Sequence, residues 1–485
     1  MLQKTLNISA KKDSIKAQTP LFLQTKEGKK RGLRQMVLSD LIPKISDTGD
    51  SSSNNYIRGW QPNALTDGIG YKQPFGRNYD VQFTINKMIT QADFGFINAT
   101  YQQFTGGTSP IYLNTGINAL IMMGINDLFE NYRISGGFRI SFDLSSNEVM
   151  LSFENLKRRL DQQIVLYRQA IKKAVPQGNM LYSIKQNTNS VFYILKYPFN
   201  RHHSLRFTFT GRYDSFIFGS ISDNTLKEPN DNRFWTGFKV SYIFDSGKEL
   251  ATNLWRGTKI NIWAEYNECV LRYYDKLGFS NDNLFVIGFD IRKSVKVYKN
   301  MTWATRLAGS TNFGTARLVY YMGGVDNWIW AKFDSDNWTD LSKNYAYQTL
   351  ATNMRGFPQN IRNGTSFVLL TTELRVPFVQ LIAGRQVSNN LLNSLQFLVF
   401  GEIGTAWTGA TPYSPDNCLY TRWIYNYPYI IKITRQVDPW VQGFGMGLRA
   451  SLFGYFFRLD WAWGLEDLKI YKKNGMLMLS IGLDF

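Results

Sequence analysis

Few residues of this chain have types that could carry out bond chemistry, and their spacing works against it. The two histidines, His202 and His203, are neighbours. In an extended chain they point to opposite faces and cannot share one metal ion. Ser204 follows His203 directly and faces away from it, which leaves no serine–histidine pair for nucleophilic catalysis. Cys269 and Cys418 either pair or stay apart, and two cysteines make no metal motif. Gly443, Gly445 and Gly447 begin like a dinucleotide fingerprint, but Leu448 stands where its last glycine belongs and no βαβ pattern surrounds them. The alternating glycines read better as a strand whose inward face is bare, so that a loop can approach the wall closely. The expectation is a protein that is no enzyme, with no catalytic residue, no metal and no cofactor. What chemistry remains is that of charge: inward carboxylates such as Glu265 and Asp290 should pair with inward arginines such as Arg292 and Arg306.

The elements that carry these residues are strands. From Leu205 to Asp214, Leu205, Phe207, Phe209, Gly211 and Tyr213 fall on one face, and Arg206, Thr208, Thr210, Arg212 and Asp214 on the other. Strict period two with charge at alternate positions excludes a helix and predicts one oily and one wet face. The same pattern recurs around Phe238, Ile262, Phe289 and Phe457, and in a final strand running from Leu477 through Phe485. Such segments run about 9 to 11 residues, the length of a tilted membrane-spanning strand rather than the ~5 to 6 of soluble sheets. Their starts lie near residues 111, 132, 147, 160, 178, 190, 203, 233, 257, 281, 300, 363, 395, 441, 453 and 474. Residues 156–175 could be either strand or helix, since Leu156, Leu160 and Ile164 also follow helical spacing. The predicted fold is all-β: a sixteen-stranded antiparallel transmembrane β-barrel over residues 106–485, with one long loop and a partly periplasmic N-terminal extension over 1–105.

Composition agrees with this class. Aromatic residues make up 15% of the 485 residues, with only 14 Pro and 2 Cys, which excludes a disulfide scaffold and a disordered chain. The longest near-apolar run, 117–125, contains Asn118 and Gly124 and is too short for a spanning helix. The formal charge of +18 raises nucleic acid or an anionic lipid surface as partners. Nothing resembles a nucleic-acid recognition module, so no nucleic acid is expected. The lysine-rich start lacks the apolar core of a secretory signal. Taken alone that would mean cytoplasm; the body of the chain instead places it in an outer membrane, as a mature or truncated product.

One gap breaks the strand rhythm. Between Phe313 and Asn363 lies a connection of roughly fifty residues, where ~2 to 6 are usual, and it is rich in aromatics. Within it stands Arg355-Gly356-Phe357, followed by Glu373-Leu374-Arg375-Val376-Pro377. These strings resemble the sixth-loop tip and next strand of the bacterial surface-antigen superfamily of outer-membrane insertases and two-partner-secretion translocators. In that superfamily the loop tip folds into the lumen and its arginine pairs with an aspartate of a Phe-x-Asp-x-Gly strand. Here the corresponding string is Phe400-Gly401-Glu402-Ile403-Gly404, with Glu402 in place of the aspartate. Gly443, Gly445, Gly447 and Arg449 look like the family's glycine-rich strand, and the segment containing Arg458 and Asp460 like the one after it. Phe485 is similar to the terminal aromatic that marks such barrels for assembly.

The resemblance implies a loop latch of Arg355, Gly356, Phe357 and Glu402. Facing it would be strands carrying Phe400, Gly404, Gly443, Gly445, Gly447, Arg449 and Asp460. A further likeness is to the Bacteroidetes-type branch in which the barrel follows a TolB-like β-propeller, carried by residues 127–130, 154–161 and 321–328. What it implies about function is assistance to insertion or translocation of polypeptide or lipid-linked cargo at the bacterial outer membrane. The implied partners are outer-membrane lipid, the barrel-assembly machinery, and either a periplasmic β-propeller or a secreted polypeptide. The alternatives are a passive channel or receptor, or a membrane anchor for a separate propeller.

Overall fold

The computed structural model describes residues 81–93, 101–104 and 118–485, apart from 143, 178–179, 220–229, 275, 338, 341, 385–388, 415–416, 418, 427–428 and 453. The lysine-rich tail and linker, the strand start near residue 111, and Cys418 lie outside these residues.

Alternation makes the wall. Phe83–Asp93 pairs antiparallel with Asn118–Asp127. Pairing then passes in chain order through Tyr132–Ser141, Ser146–Asn155, Asp161–Gln177, Met180–Pro198, His203–Gly219 and Asp231–Asp245. It continues through Leu254–Tyr274, Asn283–Tyr298, Met301–Phe313, Ser366–Val376 and Gln396–Trp407. Val441–Leu452, Tyr455–Glu466 and Met476–Ile481 complete the series. Among the described residues no helix is long and apolar enough to cross a membrane.

The two faces of this sheet are the reverse of those in a soluble protein. In Ser146–Asn155, Val149, Leu151 and Phe153 are exposed while Glu148, Ser152 and Glu154 are buried. Phe209, Phe238, Ile262, Ile287, Leu370, Val399, Phe444 and Trp461 are likewise exposed, and Thr208, Ser241, Glu373, Glu402, Arg449 and Asp460 are buried. A continuous apolar outer face of this extent is unfavourable in water, at ~25 cal/mol for each Å² left exposed, and favourable in hydrocarbon. Outward apolar and inward polar residues alternating along ~10-residue strands is the pattern of a membrane-spanning sheet.

Several strand expectations need correction. Residues 156–175, open in sequence between strand and helix, are not among these: they contribute to a strand, Asp161–Gln177. The starts near 178 and 190 fall within one strand, Met180–Pro198. Its polar centre reads as a turn in sequence, yet Asn187 and Asn189 sit in ladders on both sides. Phe83–Asp93 is a wall strand that the pattern did not predict, because residues 83–86 are exposed on both faces. It lies before residue 105, so the wall includes part of the stretch assigned to the extension. Strand lengths also exceed 11 residues, reaching 21 in Leu254–Tyr274. The excess is solvated: Arg233 and Arg272 face each other in register and share the Asp231 carboxylate at 2.7 and 3.1 Å. The last strand ends at Ile481 rather than running to Phe485, with Gly482 at φ +138° turning the chain away.

The long connection folds onto the inner face. Arg317–Met322 runs parallel to Tyr345–Leu350 and antiparallel to Arg362–Gly364. The short strand Gln102–Gln103 adds to the other edge of Tyr345–Leu350. The side chains of this small sheet form the main apolar core with the wall. Leu318, Tyr320, Met322, Met354, Phe357 and Ile361 pack against Trp235, Leu284, Val286, Phe367, Leu369 and Val441.

Candidate functional site: a buried arginine hub at the loop tip

The tip of the loop reaches the wall across four consecutive strands, Ser366–Val376, Gln396–Trp407, Val441–Leu452 and Tyr455–Glu466. Arg355 donates from its backbone N to Glu402 Oε2 at 2.6 Å and from Nε to Glu402 Oε1 at 2.7 Å. One terminal nitrogen donates to Glu373 Oε1 at 2.6 Å. The other lies 3.7 Å from Asp460 Oδ1. The guanidinium stacks 3.6 Å above the centre of the Phe400 ring. A planar, five-donor cation is the side chain suited to several carboxylates at once. Burial works against its charge, but Glu402, Glu373 and Asp460 outweigh that and hold its proton more tightly than in water.

The hub extends beyond Arg355. Glu373 also accepts from Arg375 at 2.9 Å, and Asp460 from Arg449 at 2.9 Å. Arg449 donates on to Asp484 at 2.8 Å, and Arg458 lies 3.9 Å from the same carboxylate. The four arginines (355, 375, 449, 458) are matched by four carboxylates (373, 402, 460, 484). Arg355, Glu373, Arg375, Glu402, Arg449, Arg458 and Asp460 are each at most 5% exposed. Charges this deep are tolerated only when paired, since a lone ion would carry a desolvation penalty of several kcal/mol.

Glycines make the close approach possible. Gly356 has φ +88°, and a Cβ there would come within 2.6 Å of Gly464 N. A Cβ on Gly443 would sit 2.4 Å from the Arg355 carbonyl oxygen. Backbone on both sides leaves nothing to yield. The other alternating glycines make room for different neighbours. At Gly445 a Cβ would meet the Trp461 carbonyl and the Phe400 ring, at Gly447 Asp460 and Arg449, and at Gly404 Leu369 and the loop's Met322. Phe357 is fully buried, with its ring 5.5 Å from that of Tyr471.

The structure therefore brings together Arg355, Gly356, Glu402, Phe400, Gly443, Gly445, Gly447, Arg449 and Asp460, with Phe357 beside them on the loop and Gly404 further along the wall strand that carries Glu402. Phe485 lies outside the last strand but against the hub: its backbone oxygen accepts from Arg375 at 3.2 Å, and its ring lies 4.9 Å from the Arg375 guanidinium and 5.8 Å from that of Arg306. Glu373, Arg375 and Arg458, quoted in sequence only as parts of strand strings, and Asp484 are hub members that the expected latch did not include. Strand parity marks Glu373 and Arg375 as inward, but only the register shows which charges meet. Of the pairs expected elsewhere, Asp290 does take Arg292 and Arg306, at 2.6 and 2.8 Å. Glu265 instead takes Lys239 at 3.1 Å and accepts from Asn267 and Tyr101. His203 Nδ1 lies 2.6 Å from the Tyr242 hydroxyl and His202 Nδ1 2.9 Å from the Asp245 carbonyl. Among the described residues no cluster of His, Cys, Asp and Glu could hold a metal ion.

No protein-family model matches the chain, and no curated protein matches it. Among solved structures, it is similar to BamA from Haemophilus ducreyi lacking POTRA domains 1–3, at 11% identity and a TM-score of 0.47, over 83% of this chain and 70% of that one. It is similar to CdiB from Acinetobacter baumannii at 12% identity and a TM-score of 0.42, over 83% of this chain and 66% of that one. For CdiB from Escherichia coli the values are 10% and 0.43, over 84% of this chain and 68% of that one.

Proposed function

We propose that the chain is an outer-membrane β-barrel that assists the insertion or translocation of polypeptide or lipid-linked cargo. In this reading its sixteen consecutively paired strands curl into one barrel around the inward loop, with the outer edge of the last strand taken by the loop at residues 479–481. The observation that carries the reading is the Arg355 hub: an ion-paired loop tip buried on the polar face of a wall whose other face is apolar. Such a site has no group placed for bond making, but it can hold a large loop in one position. The loop keeps the barrel shaped and plugged while cargo is handled at the wall. The strings at 127–130, 154–161 and 321–328 support placing the chain in the branch that works with a TolB-like propeller, and a propeller is the proposed periplasmic partner.

The test is reconstitution into liposomes, with a urea-unfolded eight-stranded outer-membrane barrel as the client. The wild-type chain should speed client insertion over protein-free liposomes, and Arg355→Ala should lose that gain. Equal insertion with and without the chain would overturn the reading. Single-channel recordings on the same liposomes distinguish the passive channel, which gives large stable steps, from a plugged barrel, which conducts little.

A further inference from the structure

The loop does more than dock its tip, because one of its segments meets the edge of the last wall strand and another meets residues 102–104, which follow the first in sequence. At one end, Ile329 N donates to the Leu479 carbonyl at 3.0 Å. Asn327 Nδ2 donates to the Ile481 carbonyl at 3.0 Å, and Trp328 bridges Ser480 antiparallel. In an antiparallel ladder, successive residues turn their backbone groups to opposite edges. Gly482 N donates to Phe456 O at 2.8 Å, so Ser480 and Met478 face Tyr455–Glu466, while Leu479 and Ile481 face away from it. Residues 327–329 therefore lie on the outer edge of the last strand. Trp328 is buried against Met476 and Met478, and Arg458 donates to the Asp326 carbonyl at 2.7 Å.

At the other end, Tyr347 and Gln348 pair with Gln103 and Gln102, and Phe104 N donates to Ala346 O at 3.1 Å. These residues follow the first wall strand, Phe83–Asp93. The Tyr347 hydroxyl donates to Asp214 at 2.9 Å, and its ring lies 4.4 Å from the Arg212 guanidinium. The two limbs are joined by the parallel pair Arg317–Met322 and Tyr345–Leu350, and by the bond from Met354 N to Gly324 O at 3.0 Å.

We propose that the loop is a strap: residues 327–329 cover the edge of the last strand, Tyr347 and Gln348 hold the segment that follows the first strand, and releasing the strap bares that edge. A bare edge strand offers a row of free backbone groups to any other extended chain, so a covered one is a controlled one. The strap rests on backbone pairing and stands apart from the cargo reading; either can fail without the other.

Hydrogen–deuterium exchange of the purified full chain in detergent tests it, with residues 441–452 as the internal reference. Trp328→Ala should raise exchange at 476–481 about tenfold. Tyr347→Ala should raise it at 101–104 and, through the shared sheet, at 476–481. Wild-type rates at 476–481 in both variants would overturn the strap, and so would equal loosening of the reference strand, which would make Trp328 a general packing residue. The pair Trp328→Cys with Ser480→Cys gives a second reading. Its oxidised form should exchange slowly at 476–481 and its reduced form quickly, and identical rates in the two forms would count against the strap.

Discussion

At the scale of single residues, the hub is governed by what a buried guanidinium demands. Glu402 accepts from both the backbone N–H and the side chain of Arg355. Glu402→Lys would set two buried cations against each other and leave Glu373 and Asp460 to compensate both. We expect a loss of at least ~3 kcal/mol, read as a lower urea midpoint for unfolding from lipid vesicles; an unchanged midpoint would remove the latch from the fold's energetics. Gly443→Ala should cost ~1–3 kcal/mol in the same assay, because its Cβ meets a carbonyl that cannot move aside. Gly211→Ala, whose Cβ meets nothing within 4 Å, should stay within ~0.5 kcal/mol. Arg355 and Glu402 were legible through the strings around them. Asp484 was not, since its pairing with Arg449 depends on the chain turning inward after Ile481.

Elements are decided by which face of each strand is wet. Period two in the sequence sorts residues into two sets, and the exposed set is the apolar one. Leu151, exposed on the outer face of Ser146–Asn155, should tolerate Lys poorly in a bilayer, losing ~2–4 kcal/mol if it sits near the midplane. Arg272→Ala, at the solvated end of a 21-residue strand, should change stability by less than ~1 kcal/mol, as a surface ion pair does. Comparing the two midpoints in vesicles checks the assignment of apolar band and polar extension together. Equal effects would mean that the band does not contact lipid. Element existence was readable wherever apolar alternation was strong. It failed at Met180–Pro198, whose polar centre mimics a turn, and at Phe83–Asp93, whose residues 83–86 are exposed on both faces and so carry no pattern.

For the whole molecule, the inward loop and the wall should stand or fall together, because the loop's apolar side chains form the main core with the wall. Unboiled wild-type chain in detergent should run faster on a gel than boiled chain, and Arg355→Ala should weaken or lose the fast band. A fast band unaffected by the substitution would separate the loop tip from the integrity of the wall. The sequence by itself determined the class: all-β, antiparallel, with an oily and a wet face along each strand. That information is local, because period two is a property of neighbouring residues. It also marked the long loop, whose length and aromatic content no short connection explains. The tertiary structure decided which buried charges meet, that the last strand stops at Ile481, and that residues 327–329 cover its edge. Those facts depend on register and on contacts between segments more than a hundred residues apart, where a shift of one residue reverses every face while leaving the local pattern unchanged.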